Sequence, residues 1–192
     1  MSTLRKTKLS SLEYLTLERQ STYKSEYYNG EVFAFAGASR SHNLIVVNVL
    51  TMLNTQLRLR PCQVYPSDMR VKVSETGLYT YPDITVVCDE PNLEDEHLDT
   101  LLNPTVIVEV LSPSTEQGDR IVKFAHYRRL QSLKEYILIA QDSFRLEQYV
   151  KQGDSRWLLS EYSELDTTAE LKSIECELSI ADVYAKVVFP TD

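Results

Sequence analysis

In the stretch TVIVEVLSPST, running from Thr105 to Thr115, one acidic side chain, Glu109, stands inside a run of β-branched residues. A carboxylate buried without a partner costs several kcal/mol or shifts its pKa, so a cation, a metal ion or water has to face Glu109. Asp83 follows Pro82 and opens a second apolar run, ITVVC. If the two runs are neighbouring strands, they present Asp83 and Glu109 side by side. Paired carboxylates repel unless a cation intervenes. Hard oxygen ligands of this kind suit Mg²⁺, which keeps several waters and takes only one or two carboxylates from a protein. Lys123, in the helical pattern that follows Glu109, reaches back over the same strand ends. The same residues also allow a structural reading, in which Glu109 pairs with Lys123 or Arg120 and Asp83 only ends a turn.

The elements that would hold these groups can be read as patterns. SSLEYLTLERQ (10–20) opens on a serine cap and continues with helical spacing at Leu12, Leu15 and Leu17. In YKSEYYNGEVFAFAG (23–37), Asn29-Gly30 is a strong hairpin turn. It pairs Tyr28 with Glu31 and puts Glu26, Tyr28, Glu31, Phe33 and Phe35 on one face. SRSHNLIVVNVLTMLNTQLRLR (39–60) reads as a long helix with His42 in its first turn. Its stripe is His42, Val46, Val49, Leu53 and Leu57, and Pro61 ends it.

SDMRVKVSETGLYTYPDITVVC (67–88) reads as two strands joined near Gly77. In the second, Asp83, Thr85 and Val87 share one face, and Ile84, Val86 and Cys88 the other. An acidic surface loop follows, through Asp99. In the strand of Glu109, Thr105, Ile107, Glu109 and Leu111 face one way and Val106, Val108 and Val110 the other. Two apolar faces fit a central strand, ended by Ser112-Pro113. STEQGDRIVKFAHYRRLQSL (114–133) is helical and aligns Asp119, Lys123 and Tyr127. KEYILIAQ, RLEQYVK and SRWLLSEYS are strand candidates, and residues 179–186 a short last helix.

Composition bounds the rest. The chain of 192 residues suits a single domain over 1–192 with a sizeable core. It has no apolar run of membrane-spanning length and no secretory pattern at its start. Cys62, Cys88 and Cys176 share no ligand or redox spacing, so reduced thiols in a cytoplasmic protein are expected. The net charge of −8 speaks against a general polyanion binder. Between Asp119 and Glu135, however, Arg120, Lys123, Arg128, Arg129 and Lys134 make a local basic surface. The Arg128-Arg129 pair, and the tyrosines, have solvated or packing roles as their plainest reading.

YPDITVVC, NPTVIVEVLSPST and DRIVKFAHYRRLQSLKEYILIAQ together resemble the Uma family of bacterial restriction endonucleases, assigned to the PD-(D/E)XK nuclease superfamily. YYNGEVFAFAGASRSHN and PCQVYPSDMRVKV extend the resemblance over most of the chain. It implies an α/β fold, a restriction-endonuclease-like mixed β-sheet flanked by α-helices. Asp83 matches the motif aspartate and Glu109 the motif acid. The motif lysine two residues on is replaced by Leu111; in that family a lysine on the following helix takes its place, and Lys123 matches it. Glu31, His42 and Asp68 stand at further family positions.

The activity implied is Mg²⁺-dependent hydrolysis of DNA phosphodiester bonds, with Mn²⁺ as an alternative ion. Asp83, Glu109 and the Val110 carbonyl would hold the ion. Lys123, Glu31 and His42 would complete the catalytic set. Cutting a duplex needs two sites, which points to a homodimer or higher homo-oligomer. The competing function is a catalytically silent module, for nucleic-acid binding or assembly, on the same fold. Leu111 and the acidic charge favour it.

Overall fold

Ser10 caps the first helix as its spacing predicts. Its Oγ accepts the Glu13 N–H at 3.2 Å and its own N–H donates to Glu13 Oε2 at 2.8 Å, a reciprocal capping box. The structure, a computed structural model, describes residues 8–34, 37–112, 115–153 and 155–189. Phe35 and Pro113 lie outside the described residues.

In chain order the elements are α1 (Ser11–Glu18), β1 (Ser25–Tyr28), β2 (Glu31–Ala34), α2 (Arg40–Leu57), β3 (Cys62–Pro66), β4 (Arg70–Val73), β5 (Leu78–Thr80) and β6 (Ile84–Cys88). Then come β7 (Thr100–Leu101), β8 (Val106–Leu111), a π-helical stretch (Gly118–Lys123) and α3 (Phe124–Tyr127). The chain continues through β9 (Glu135–Ala140), β10 (Leu146–Gln152), β11 (Arg156–Tyr162), β12 (Thr168–Leu171), β13 (Cys176–Ser179) and α4 (Ile180–Val183).

The β1–β2 hairpin has the expected register, Tyr28 opposite Glu31. Asn29 and Gly30 both take positive φ, 50° and 86°, as this tight turn demands. In α2, Ser39 caps the helix by accepting the His42 N–H at 3.1 Å. Ile45, Val49, Leu53 and Leu57 are its buried stripe.

The fold class is mixed α/β, with sheets flanked by helices. The expected single sheet is divided, however. One sheet has the order β2-β1-β5-β4-β7, a second β11-β10-β9-β8-β6-β3, and β12 and β13 form a separate pair. The reason lies at Pro82. The run 78–88, expected as one strand, breaks there because proline has no N–H for the ladder. β5 pairs with β4 and β1 in the first sheet, whereas β6 pairs with β8 and β3 in the second. Asp83 is therefore the first residue after the chain changes sheets.

β8 lies inside the second sheet, antiparallel to β6 and parallel to β9. A parallel pair needs a crossover, and the helical segment that carries Lys123 is that crossover. Both faces of β8 are buried, with the alternation expected. Val106, Val108 and Val110 pack with α2, α4 and Ile137, whereas Ile107 and Leu111 pack with Tyr127, Leu133 and Tyr136.

The thiol expectation is corrected. Cys62 and Cys88 are directly opposed in the β3–β6 register and are joined as a disulfide. Their separation in sequence concealed a cross-strand pair, and only Cys176 is a free, buried thiol. The thiols therefore give no support to a cytoplasmic setting. Among the described residues no helix is long and apolar enough to cross a membrane.

Ile137, fully buried in the core between β8 and α2, sets a stability test. Ile137→Ala is expected to cost ~2–5 kcal/mol in urea denaturation. Leu12→Ala, at a side chain 72% exposed, should stay within about 0.5 kcal/mol of wild type.

Candidate functional site

The β6–β8 register pairs Ile84 with Val108, so the next step along it sets Asp83 opposite Glu109 on the same face. β6 stops there, and the Asp83 side chain stands in for the missing ladder partner. Its Oδ2 accepts the Val110 N–H at 2.7 Å. The N–H and C=O of one strand residue leave on the same edge, so the Val110 carbonyl also points past the end of β6. Asp83 Oδ2 lies 3.2 Å from His42 Nε2, which α2 delivers from its capped first turn. The other ring nitrogen of His42 is buried and has no partner among the described residues.

Glu109 is 3% exposed. Its Oε1 accepts the Tyr127 hydroxyl at 2.9 Å and the Lys123 ammonium at 3.2 Å. Lys123 Nζ also lies 3.1 Å from Asp119 Oδ1 and 3.2 Å from Glu26 Oε1. Glu26 comes from the β1–β2 hairpin and is held by the Thr80 hydroxyl at 2.5 Å. Asp119, Lys123 and Tyr127 thus act together as their spacing predicts. Ser114, the start of the helix expected over 114–133, lies outside the described residues, and the rest is π-helical at Gly118–Lys123 and α-helical again over Phe124–Tyr127. Such π turns recur at functional sites.

The electrostatics follow from the count of charges. A single ammonium, Lys123, faces Glu26, Glu109 and Asp119, with Asp83 beside them. Burial pushes the Glu109 carboxyl well above its ordinary range; Lys123 opposes this, and Asp119, Asp83 and Glu26 add to it. Asp119 is raised too, by burial first, with Lys123 again opposing. Burial alone would lower the Lys123 ammonium, but Glu109, Glu26 and Asp119 together hold it well above its usual value. The cluster therefore has an excess of negative charge that a proton or a further cation must balance.

Asp83, Glu109, Val110, His42, Glu26 and Asp119 all line one cavity of about 300 Å³. Among the described residues no three of His, Cys, Asp and Glu converge as a ligand set. The donors available to an ion are the carboxylates of Asp83 and Glu109 with the Val110 carbonyl. These are hard oxygens, and a Mg²⁺ completed by water needs no more from the protein.

Other expected positions fall elsewhere. Glu31 is exposed on β2 and does not line the cavity, and Asp68 is exposed and paired with Lys24 at 3.0 Å. The acid that the hairpin brings to the site is Glu26. Its signal was its place on the same hairpin face as Glu31, but the sequence did not show how that hairpin docks. β1 pairs with β5 through Tyr27 and Tyr79, which turns Glu26 toward Lys123. Leu111, where the motif lysine would stand, is 3% exposed in the core beside Tyr127 and Leu133.

Known proteins give this geometry a context. Residues 12–183 match the family described as "Uma2: Putative restriction endonuclease". Two Synechocystis sp. proteins, both called uncharacterized, are similar in sequence. Protein sll1609 is 41% identical over 80% of this chain and 86% of its own. Protein slr1290 is 35% identical over 95% of this chain and 94% of its own. The crystal structure of "a putative nuclease belonging to DUF820" from Anabaena variabilis ATCC 29413 superposes with a TM-score of 0.77 at 21% identity. It covers 94% of this chain and 99% of that one, a likeness of fold.

The raised Glu109 carboxyl predicts a pH dependence in EDTA. A carboxyl whose folded-state pKa exceeds its unfolded value contributes stability that is complete below the unfolded pKa. That contribution is lost as pH rises through the folded one. The melting temperature of wild type relative to Glu109→Gln should therefore fall as pH rises from about 4.5. Parallel profiles for the two proteins would contradict the assignment.

Proposed function

We propose that this chain, which belongs to the Uma2 family, is a Mg²⁺-dependent endonuclease that hydrolyses DNA phosphodiester bonds. The observation that carries the reading is the meeting of Asp83 and Glu109 at one cavity, with the Lys123 ammonium 3.2 Å from Glu109. The descriptions of the family and of the Anabaena protein support nuclease function, and the excess of carboxylates supports the cation.

In this reading Asp83, Glu109 and the Val110 carbonyl would hold the ion, with Mn²⁺ as an alternative. The bound metal supplies acidity to a water and offsets charge on the phosphate. Tyr127 and Lys123 both engage Oε1 of Glu109 and would hold its carboxylate in place beside the ion. Lys123 holds the attacking water or meets charge that develops on the phosphate. His42 positions Asp83 through its Nε2, and the Val110 N–H fixes the same carboxylate from the other side. Glu26 and Asp119, which line the cavity, hold the lysine beside Glu109. Glu31 takes no part. Cleavage of both strands of a duplex uses two copies of the chain, as a homodimer or larger homo-oligomer.

A second reading is a catalytically silent module for nucleic-acid binding or assembly. Leu111 in the core and the net charge of −8 favour it. Three measurements on pure protein separate the two: plasmid nicking, thermal shift and urea denaturation.

Under the nuclease reading, nicking requires Mg²⁺, and Mg²⁺ raises the melting temperature by mass action. Asp83→Asn abolishes both effects. Lys123→Met lowers cleavage about 100-fold, the loss typical of one transition-state donor, while still responding to Mg²⁺. Under the silent reading no variant changes nicking, because wild type has none. Lys123→Met leaves a buried carboxylate without its cation, at a cost of about 3–5 kcal/mol that added Mg²⁺ offsets only under the nuclease reading. A Lys123→Met protein that is stable and cuts at the wild-type rate removes that residue from the mechanism.

A further inference from the structure

A second cavity of about 320 Å³ adjoins the first and shares Glu26, Thr115 and Asp119 with it. Its own walls are of a different kind. Tyr28 and Phe33 come from the hairpin, Leu78 from β5, and Val122 and His126 from the helical crossover. The Tyr28 and His126 rings meet edge to face with centroids 4.7 Å apart. Burial lowers the His126 pKa, so at neutral pH this ring is an uncharged aromatic surface. Phe33 is 47% exposed, Val122 56% and Tyr28 38%, although each stands beside a concave site. Exposed apolar side chains gathered at a cavity mark a surface that something else covers.

We propose that this cavity holds one unstacked nucleobase of the substrate strand, next to the phosphate engaged at Asp83 and Glu109. The inference rests on the nuclease reading for the phosphate and adds a base subsite to it. Three observations select that occupant. The cavity lies at the small end of ligand pockets, too small for a duplex but sufficient for one base. Its aromatic walls offer a π-face, which every base can use without regard to sequence. Glu26 and Asp119 line both cavities, and Lys123, which they hold, lines the second, so a single nucleotide can place its phosphate in one and its base in the other. Phe33 sits opposite Glu26 in the hairpin register, so the stacking ring and the carboxylate that steers Lys123 move as one unit.

The test is equilibrium binding, followed by fluorescence anisotropy of labelled single-stranded oligonucleotides in Ca²⁺. One oligonucleotide is intact; the others each carry one abasic site, moved along the strand. The proteins are wild type, Phe33→Ala and Val32→Ala, the last altering the neighbouring residue on the opposite face of β2. One abasic position is expected to weaken wild-type binding about tenfold, within the range for loss of one stacked base. Phe33→Ala should weaken the intact strand by a similar factor and then be indifferent to that position, and Val32→Ala should match wild type.

Equal affinity of wild type for every abasic strand, or wild-type affinity in Phe33→Ala, overturns the base subsite. So does a Phe33→Ala protein that binds DNA normally but changes from dimer to monomer in sedimentation, because a second copy of the chain is then what covers the patch. Annealing the series to its complement tells a base already free in a single strand from one turned out of a duplex. Coupling at one position without any Mg²⁺-dependent cleavage would keep the subsite and sink the nuclease reading. Cleavage without coupling would do the reverse, and absence of DNA binding would sink both.

Discussion

One buried ammonium organises this molecule. Lys123 stands among carboxylates from the N-terminal hairpin, from the central strand β8 and from its own helical segment. Removing a charge from water is tolerated only where opposite charges and hydrogen bonds replace the solvent. Here they overcompensate, since Glu26, Glu109 and Asp119 share a single cation while Asp83 adds a further negative charge to the same cavity. The imbalance explains the raised carboxyls of Glu109 and Asp119, and it makes the cavity a place where an added cation is welcome. The Tyr127 and Thr80 hydroxyls and the backbone N–H of Val110 spread the remaining charge over fixed dipoles.

Most of the site was legible because it lies in short-range pattern. Alternation along residues 105–111 assigned Glu109 to the face of Ile107 and Leu111, and helical spacing put Asp119, Lys123 and Tyr127 in register. The turn at Asn29-Gly30 fixed which hairpin residues share a face. Glu26 stayed hidden because its meeting with Lys123 depends on how β1 docks on β5, a contact that local periodicity does not encode. Glu31, paired with Tyr28 across the same turn, carried the stronger family resemblance yet sits in solvent. The Cys62–Cys88 pair was hidden for a similar reason, since β3 was not recognised as a strand at all.

The division into two sheets shows how a local rule can be applied too coarsely. The alternation from Leu78 to Cys88 is real, and both halves are strands. What pattern alone did not weigh was Pro82, which ends one ladder and lets the next begin elsewhere. That break places Asp83 at the junction, with its carboxylate free to meet the Val110 N–H. An unbroken strand would have spent that N–H on a backbone partner.

The Pro82 crossing also has a kinetic consequence. Glu109 belongs to the second sheet with Asp83 at the edge of its strand β6, Glu26 belongs to the first, and His42 arrives on α2. The site thus draws on residues nearly a hundred positions apart and cannot exist in any partly folded species that has built only one sheet. Contacts between residues so distant in sequence form late, after the chain entropy of closing large loops has been overcome. Like-charged carboxylates gain nothing from meeting early. The nucleus of folding should therefore lie in the apolar β8–β9 ladder, with the charged cluster closing only when the two sheets dock. During synthesis the charged cluster would stay incomplete until the segment carrying Lys123 and the strand β9 after it had emerged.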